Sequence, residues 1–232
     1  MKTTTTATSK ILVPAARVSL AATAMLILSL ASLHVLSPEY DPSWRVVSEY
    51  ALGEYAWVLS LMFIAGAVSD WSLAIAIWSQ MRTTTGRIGV GFLVASGVGS
   101  AMASVFAINH PLHTVAGVIG ILSLPIAAPI ISVQLSRTQP WSDTKTTLLY
   151  VANLTWISVI VMFAALIIMI IQFTQAGGDT TAPVKTLPSG VLPIVGYANR
   201  FLILVHSAWV SILALQAIKL QRRAVALRQS FA

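Results

Sequence analysis

Leu148–Phe173, LLYVANLTWISVIVMFAALIIMIIQF, contains no Asp, Glu, Lys or Arg. At about 1.5 Å per residue, a helix of this length exceeds the roughly 30 Å hydrocarbon core of a bilayer. Its central part, VIVMFAALIIMII, has bulky apolar residues on every side, so this span is expected to be the most lipid-exposed of the chain. The rest of the sequence matches it in composition: 56% of residues are hydrophobic, 9% are charged, and the mean hydropathy is +0.82. A soluble domain is nearer about one quarter charged. The chain therefore reads as all-α, a polytopic transmembrane bundle.

Outward from that stretch, further spans fall at about 18–36, 57–78, 88–108, 112–134 and 194–218, which with 148–173 makes a bundle of six helices. An even number of spans puts both termini on one side. With the N-terminus inside, the inner segments hold Lys2, Lys10, Arg17, Arg82, Arg87, Arg137, Lys145, Lys219, Arg222, Arg223 and Arg228, whereas the outer ones hold Arg45, Lys185 and Arg200. This asymmetry places both termini in the cytoplasm and the protein in the cell inner membrane. The net charge of +7 thus flanks apolar spans. No loop is long enough for a nucleic-acid-reading module, so membrane lipids are the expected partners and nucleic acid is not. The absence of cysteine excludes disulfides, Fe–S clusters and thiolate zinc sites, and no Walker or dinucleotide fingerprint calls for a cofactor.

Residues 1–17 form a Thr-rich cytoplasmic leader. The run after it reads as a retained helix, with a signal peptide cleaved near Ser29-Leu30-Ala31 as the alternative. Residues 18–218 form a single membrane domain with a polar outer loop at 37–56, and 219–232 form a basic tail facing anionic lipid. Gly91, Ala95, Gly99 and Ala103, spaced by four, predict a small face for close helix contact on the third span. Pro125 and Pro129 predict a bend or local unwinding of the fourth. Residues 174–193 read as a flexible outer connection.

The polar residues gather in Pro38–Trp57, PEYDPSWRVVSEYALGEYAW. Asp41 as cap and Gly53 as stop bracket a short helix over 42–52, on which Arg45 and Glu49 would pair. Such a pair is ordinarily an exposed salt bridge worth little. His110 and His113 flank the start of the fourth helix. Pro111 suits a first helical position, so helix capping and hydrogen bonding to the first loop account for both. Asn199 and His206 are seven apart and share a helix face, as do Arg200 and Ser207. Asp70 lies near mid-membrane, where a carboxyl group is either a proton or ligand contact or a hydrogen-bonded packing group. The candidate catalytic residues are Glu49, His110, His113 and His206, and the candidate ligand contacts are Arg45, Ser48, Tyr50, Asp70 and Arg200. A metal held by His110, His113 and His206 is an alternative, but the histidines lack the HExxH spacing. Arg45, Glu49, His110, His113 and Arg200 are expected to converge at the outer end of the bundle.

SEYALG (Ser48–Gly53), NHPLHTVAGVIG (Asn109–Gly120) and NRFLILVHSAW (Asn199–Trp209) resemble domain-of-unknown-function family 998, a group of six-helix microbial membrane proteins. The resemblance runs from about residue 18 to 218 and implies six helices with the first retained. It brings no activity with it. A serine-acidic loop followed by a histidine opening a later helix is also similar, more faintly, to Sfk/DRAM-type membrane proteins. Two functional classes remain. One is a protein that binds or moves a lipid or small ligand through an extracytoplasmic polar site. The other is a membrane-embedded hydrolase acting on a lipid headgroup or ester by His/Glu acid–base or metal chemistry, with Ser48 as a polarising hydroxyl or nucleophile.

Overall fold

A computed structural model of the chain describes residues 12–178, 184 and 186–230. The leader before Leu12 and the charged residues Asp179 and Lys185 lie outside the described residues. Among the described residues there is no strand, and six helices are long and apolar enough to cross a membrane. They are α1 (Val13–Leu36), α2 (Ala56–Ile77), α3 (Thr84–Val105), α4 (Pro111–Ser136), α5 (Lys145–Gln175) and α6 (Val195–Ser230). Short 3-10 helices, Val47–Leu52, Trp78–Gln80 and Trp141–Thr144, sit in the connections.

Local chemistry explains the helix starts. Thr83 Oγ1 accepts from the Gly86 amide at 3.0 Å and opens α3. His110 Nδ1 accepts from the Leu112 amide at 3.2 Å, with Pro111 behind it at the head of α4. The helix of the sixth span continues through Ser230, so residues 219–230 of the basic tail are helical.

Each helix packs against its sequence neighbours, and α1 meets α6, so the six close into a ring. Lipid is as apolar as leucine, so apolar burial alone does not drive this association; close backbone approach and interhelical hydrogen bonds do. At the α3–α4 crossing, a Cβ on Gly99 would collide with the Gly120 nitrogen and lie 2.8 Å from the Ala116 carbonyl. Between α1 and α2, Thr23 and Ser69 hydroxyls lie 2.6 Å apart. Between α2 and α3, Trp71 Nε1 donates to the Val94 carbonyl at 3.1 Å, and Ser60 to that of Ser104 at 3.0 Å. Trp209 of α6 reaches Ser132 of α4 at 3.1 Å.

The contact face of α3 is the expected one at Gly99 and departs from it nearer the helix start. It runs through Gly89, Ser96 and Gly99, whereas Gly91 is exposed and a Cβ there would meet nothing. A four-residue spacing drifts around a helix of 3.6 residues per turn, so the first member of the expected stripe falls outside the interface. α4 is also helical without interruption through Pro125 and Pro129, so the expected unwinding does not occur. Each proline removes one backbone hydrogen bond, and the packed ring holds the helix together around it. α5 is exposed as expected, at Ile157, Ile160, Ile167 and Ile171 among others, but α1 is as exposed as it is.

At the end of the ring that carries the start of α1, the interior is packed solid. Leu73, Ile77, Leu93, Ile131 and Leu213 are fully buried in one cluster with Trp209. At the other end, which carries residues 37–56, the ring encloses a cavity.

Candidate functional site

The cavity begins beneath the 3-10 helix Val47–Leu52, so the conformation of this loop comes first. Asp41 Oδ1 accepts from the Ser43 amide at 2.9 Å and the Ser43 hydroxyl at 2.7 Å, making a tight turn over 41–45. These two bonds hold the Asp41 carboxyl below its usual pKa range. The expected helix over 42–52 is therefore shorter: the first residues form this turn, and only Val47–Leu52 are helical. Gly53 ends it at φ −99, an ordinary conformation. Its lack of a side chain serves contact instead, because a Cβ would lie 3.0 Å from the Tyr40 ring.

Arg45 and Glu49 pair at 2.6 Å, and each side chain is only 18% exposed. The other Glu49 oxygen accepts from the Val46 amide at 3.3 Å, capping the 3-10 helix. Arg45 also lies over the Trp44 ring, 4.0 Å from its centroid.

The start of α6 fixes this loop onto the bundle. The Gly196 amide donates to the Ser43 carbonyl at 3.0 Å, and a Cβ on Gly196 would collide with the Pro42 and Arg45 carbonyls at 2.5 and 2.7 Å. Asn199 Oδ1 accepts from the Val47 amide at 2.9 Å. Arg200, 7% exposed, spreads its donors over three elements. Nε donates to His34 Nε2 at 2.7 Å, Nη1 to the Arg45 and Gly196 carbonyls at 2.8 and 3.0 Å, and Nη2 to the Tyr50 hydroxyl at 3.1 Å. His34 Nδ1 lies 2.7 Å from the Leu30 carbonyl, so Nδ1 carries the proton and Nε2 is left as the acceptor that Arg200 requires.

Below this cover lies a cavity of about 180 Å³, walled by α1, α2, α3, α4 and α6. Its loop end, or mouth, is lined by Ser48, Asn199 and His113. Its middle is apolar, with Met62, Phe63, Leu202 and Ile203. Its floor brings together Asp70, Ser96, His206 and Ser207, next to the Thr23–Ser69 hydroxyl pair. Asp70 is 5% exposed, with the Ser96 hydroxyl, which donates to the Gly120 carbonyl at 3.4 Å, as its polar neighbour. His206 Nε2 is buried with no hydrogen-bond partner, and the Thr155 backbone lies beside the ring.

The candidate residues thus separate into groups. Arg45, Glu49, Tyr50 and Arg200 meet in the cover, as expected for the charged members. Ser48, His113, Asp70 and His206 line the cavity. His110 does neither: it is exposed, caps α4 and stacks on Phe106 at 4.7 Å. His113 Nδ1 is taken up by the Phe106 carbonyl at 2.7 Å. The two histidines were expected beside Arg45, Glu49 and Arg200, but their hydrogen bonds are to their own segment, because the start of α4 needs them there. Among the described residues no three His, Asp or Glu side chains converge as a metal site, so His110, His113 and His206 do not form one. Two contributors lacked a sequence signal strong enough to nominate them: His34, one histidine at a helix end, and Asn199, noted only for its shared face with His206.

No curated protein and no solved structure matches the chain, and no match carries the likeness to Sfk/DRAM-type proteins. The family described as "Protein of unknown function (DUF998)" matches residues 20–216, from within α1 to within α6, which takes in the cover and the cavity. This chain is an integral membrane protein belonging to that family.

Proposed function

We propose that the protein binds a lipid or other small amphiphile in the cavity beneath Val47–Leu52. The observation that carries this reading is a cavity apolar along its middle and polar at its floor, over a terminal half packed solid by Leu73, Ile77, Leu93, Ile131 and Leu213. Such a combination suits a receptor for an amphiphilic molecule. The sealed half argues against a continuous polar path and favours binding over transport. The distribution of Lys and Arg supports a setting in the inner membrane with both termini cytoplasmic and the cavity on the extracytoplasmic side.

The hydrolase alternative needs Glu49 or a histidine free to move a proton. Glu49 is engaged by Arg45 and by the Val46 amide, so it serves the cover. Only His113 and His206, with Ser48 at the mouth, stay in reach of a substrate inside the cavity.

The test uses Gly117, which lines the cavity at a point where an added Cβ would meet nothing within 4 Å. Protein purified in mild detergent is extracted and its co-purifying lipids are compared with those of Gly117→Leu. The wild type should carry a discrete amphiphile that the filled variant has lost. Identical lipid profiles from two equally folded proteins would refute cavity binding.

A further inference from the structure

We infer that the cavity takes its ligand head-first, and that the head is a hydrogen-bond donor, a hydroxyl or an ammonium group, rather than an anion. This rests on the binding reading above and specifies the chemistry of its ligand.

The inference follows from which polar groups around the cavity are already used. Toward the mouth most are spent on structure: Asn199 Oδ1 holds the Val47 amide, its Nδ2 lies 3.6 Å from Met162 Sδ, and His113 Nδ1 is bound to the Phe106 carbonyl, which leaves the Ser48 hydroxyl and His113 Nε2. The floor adds what the mouth lacks, a carboxyl group. The Asp70 carboxyl offers two oxygens with several lone-pair positions, and its polar neighbour, the Ser96 hydroxyl, donates to the Gly120 carbonyl. His206 retains a buried ring nitrogen with no partner at all. Buried polar groups in native proteins are nearly always satisfied, so a carboxyl group with lone pairs to spare at the floor, beside an unpartnered imidazole nitrogen, suits a donor.

The charge of the surroundings sets the sign. Among the residues lining the cavity there is no Lys or Arg, and Arg200 above it commits Nε, Nη1 and Nη2 to His34, Tyr50 and backbone carbonyls. A carboxylate or phosphate head would arrive beside the Asp70 carboxyl with no cation to receive it, in a medium where uncompensated charge is costly. A hydroxyl can donate to Asp70 or His206 and accept from Ser96 or Ser207. An ammonium group can pair with Asp70 directly. In either case the chain then lies against Phe63, Met62, Leu202 and Ile203, toward the loop end. The apolar section is on the mouth side of the floor, so head-first entry matches polarity at both ends of the ligand.

The experiment uses the full chain in phosphatidylcholine nanodiscs and three photoreactive probes: decan-1-ol, decan-1-amine and decanoate, each with a diazirine next to the head. Adducts are mapped by mass spectrometry. The alcohol or the amine should label the segments around Asp70, Ser96 and His206 about tenfold more than decanoate does, the ratio expected for about 1.4 kcal/mol of discrimination. Asp70→Asn separates the two donor types, because it keeps a carbonyl acceptor and removes the acid. Amine labelling of the floor should fall about tenfold, whereas alcohol labelling should stay within about threefold. His206→Phe should lower floor labelling by the donor-headed probe while labelling elsewhere is unchanged. Decanoate labelling the floor as well as the alcohol and the amine overturns the inference, and so does head labelling confined to Ser48 and His113 at the mouth. Cavity labelling that is equal in the wild type and in Gly117→Leu for every probe would instead overturn the binding reading beneath it.

Discussion

The guanidinium of Arg200 donates its Nε–H to Nε2 of His34 across 2.7 Å, joining the first helix of the chain to the last. The same side chain holds the Arg45 carbonyl and the Tyr50 hydroxyl, so one residue closes the ring and seats the cover. Hydrogen bonds to charged groups are worth roughly 1.5–3 kcal/mol each, and an arginine fork is not reproduced by lysine. Arg200→Lys and His34→Phe should therefore each speed amide exchange across Val46–Leu52 by about tenfold or more while the α3–α4 core stays protected. Exchange mass spectrometry on the nanodisc-embedded protein measures this. Unchanged protection of the loop in both variants would mean that the network does not hold it.

Two glycines should respond oppositely to the same methyl group. Gly196→Ala drives a Cβ into the Pro42 and Arg45 carbonyls, backbone atoms with little room to yield, and should cost about 1–3 kcal/mol. Gly117→Ala enters open cavity space inside a helix and should be neutral or stabilising by up to about 1 kcal/mol. Unfolding midpoints in a denaturing-detergent titration compare the two. Equal midpoints would contradict the close approach of α6 to the loop.

Topology is accessible through a chain that lacks cysteine. Ser43→Cys should react with an impermeant maleimide in intact cells. Thr84→Cys, at the opposite end of the ring, should react only after permeabilisation. Labelling of Thr84→Cys from outside would reverse the orientation.

The turn at 41–45 should loosen in acid. Asp41 has its pKa lowered by the Ser43 amide and hydroxyl, so its contribution to the turn is present above the ordinary carboxylate range and is lost as pH falls through the lowered value. Amide exchange at 41–45, corrected for intrinsic pH dependence, should rise at low pH in the wild type. In Asp41→Asn it should show no such step, and a step that persists there would assign the effect to another group.

Much of the architecture was legible because a bilayer imposes simple rules. Span lengths, the chemistry at His110-Pro111 and the pairing of Arg45 with Glu49 depend on neighbours close in sequence, and hydropathy and spacing report these directly. The exposure of α5 was legible for the same reason: Ile and Val on every side leave no face for a polar interior. Asp70 could be singled out because a carboxyl group is rare at that depth.

What the sequence by itself determined, then, was the number, extent and character of the helices and which residues were costly enough in lipid to require a reason. Only the tertiary structure decided which of those residues meet. Arg200 finds His34 and Tyr50 across more than a hundred residues of chain, and no spacing rule reaches that far. Of the expected α3 stripe, Gly99 meets α4 while Gly91 is exposed, because the rotation of a helix is set by the partners on both sides of it. The cavity is likewise a property of the closed ring: Asp70 and His206 share it because α2 and α6 present them to the same interior, while His110 caps α4 outside it. Local sequence specifies a helix and its faces, but which face turns inward is a collective choice made by close packing and interhelical hydrogen bonds together.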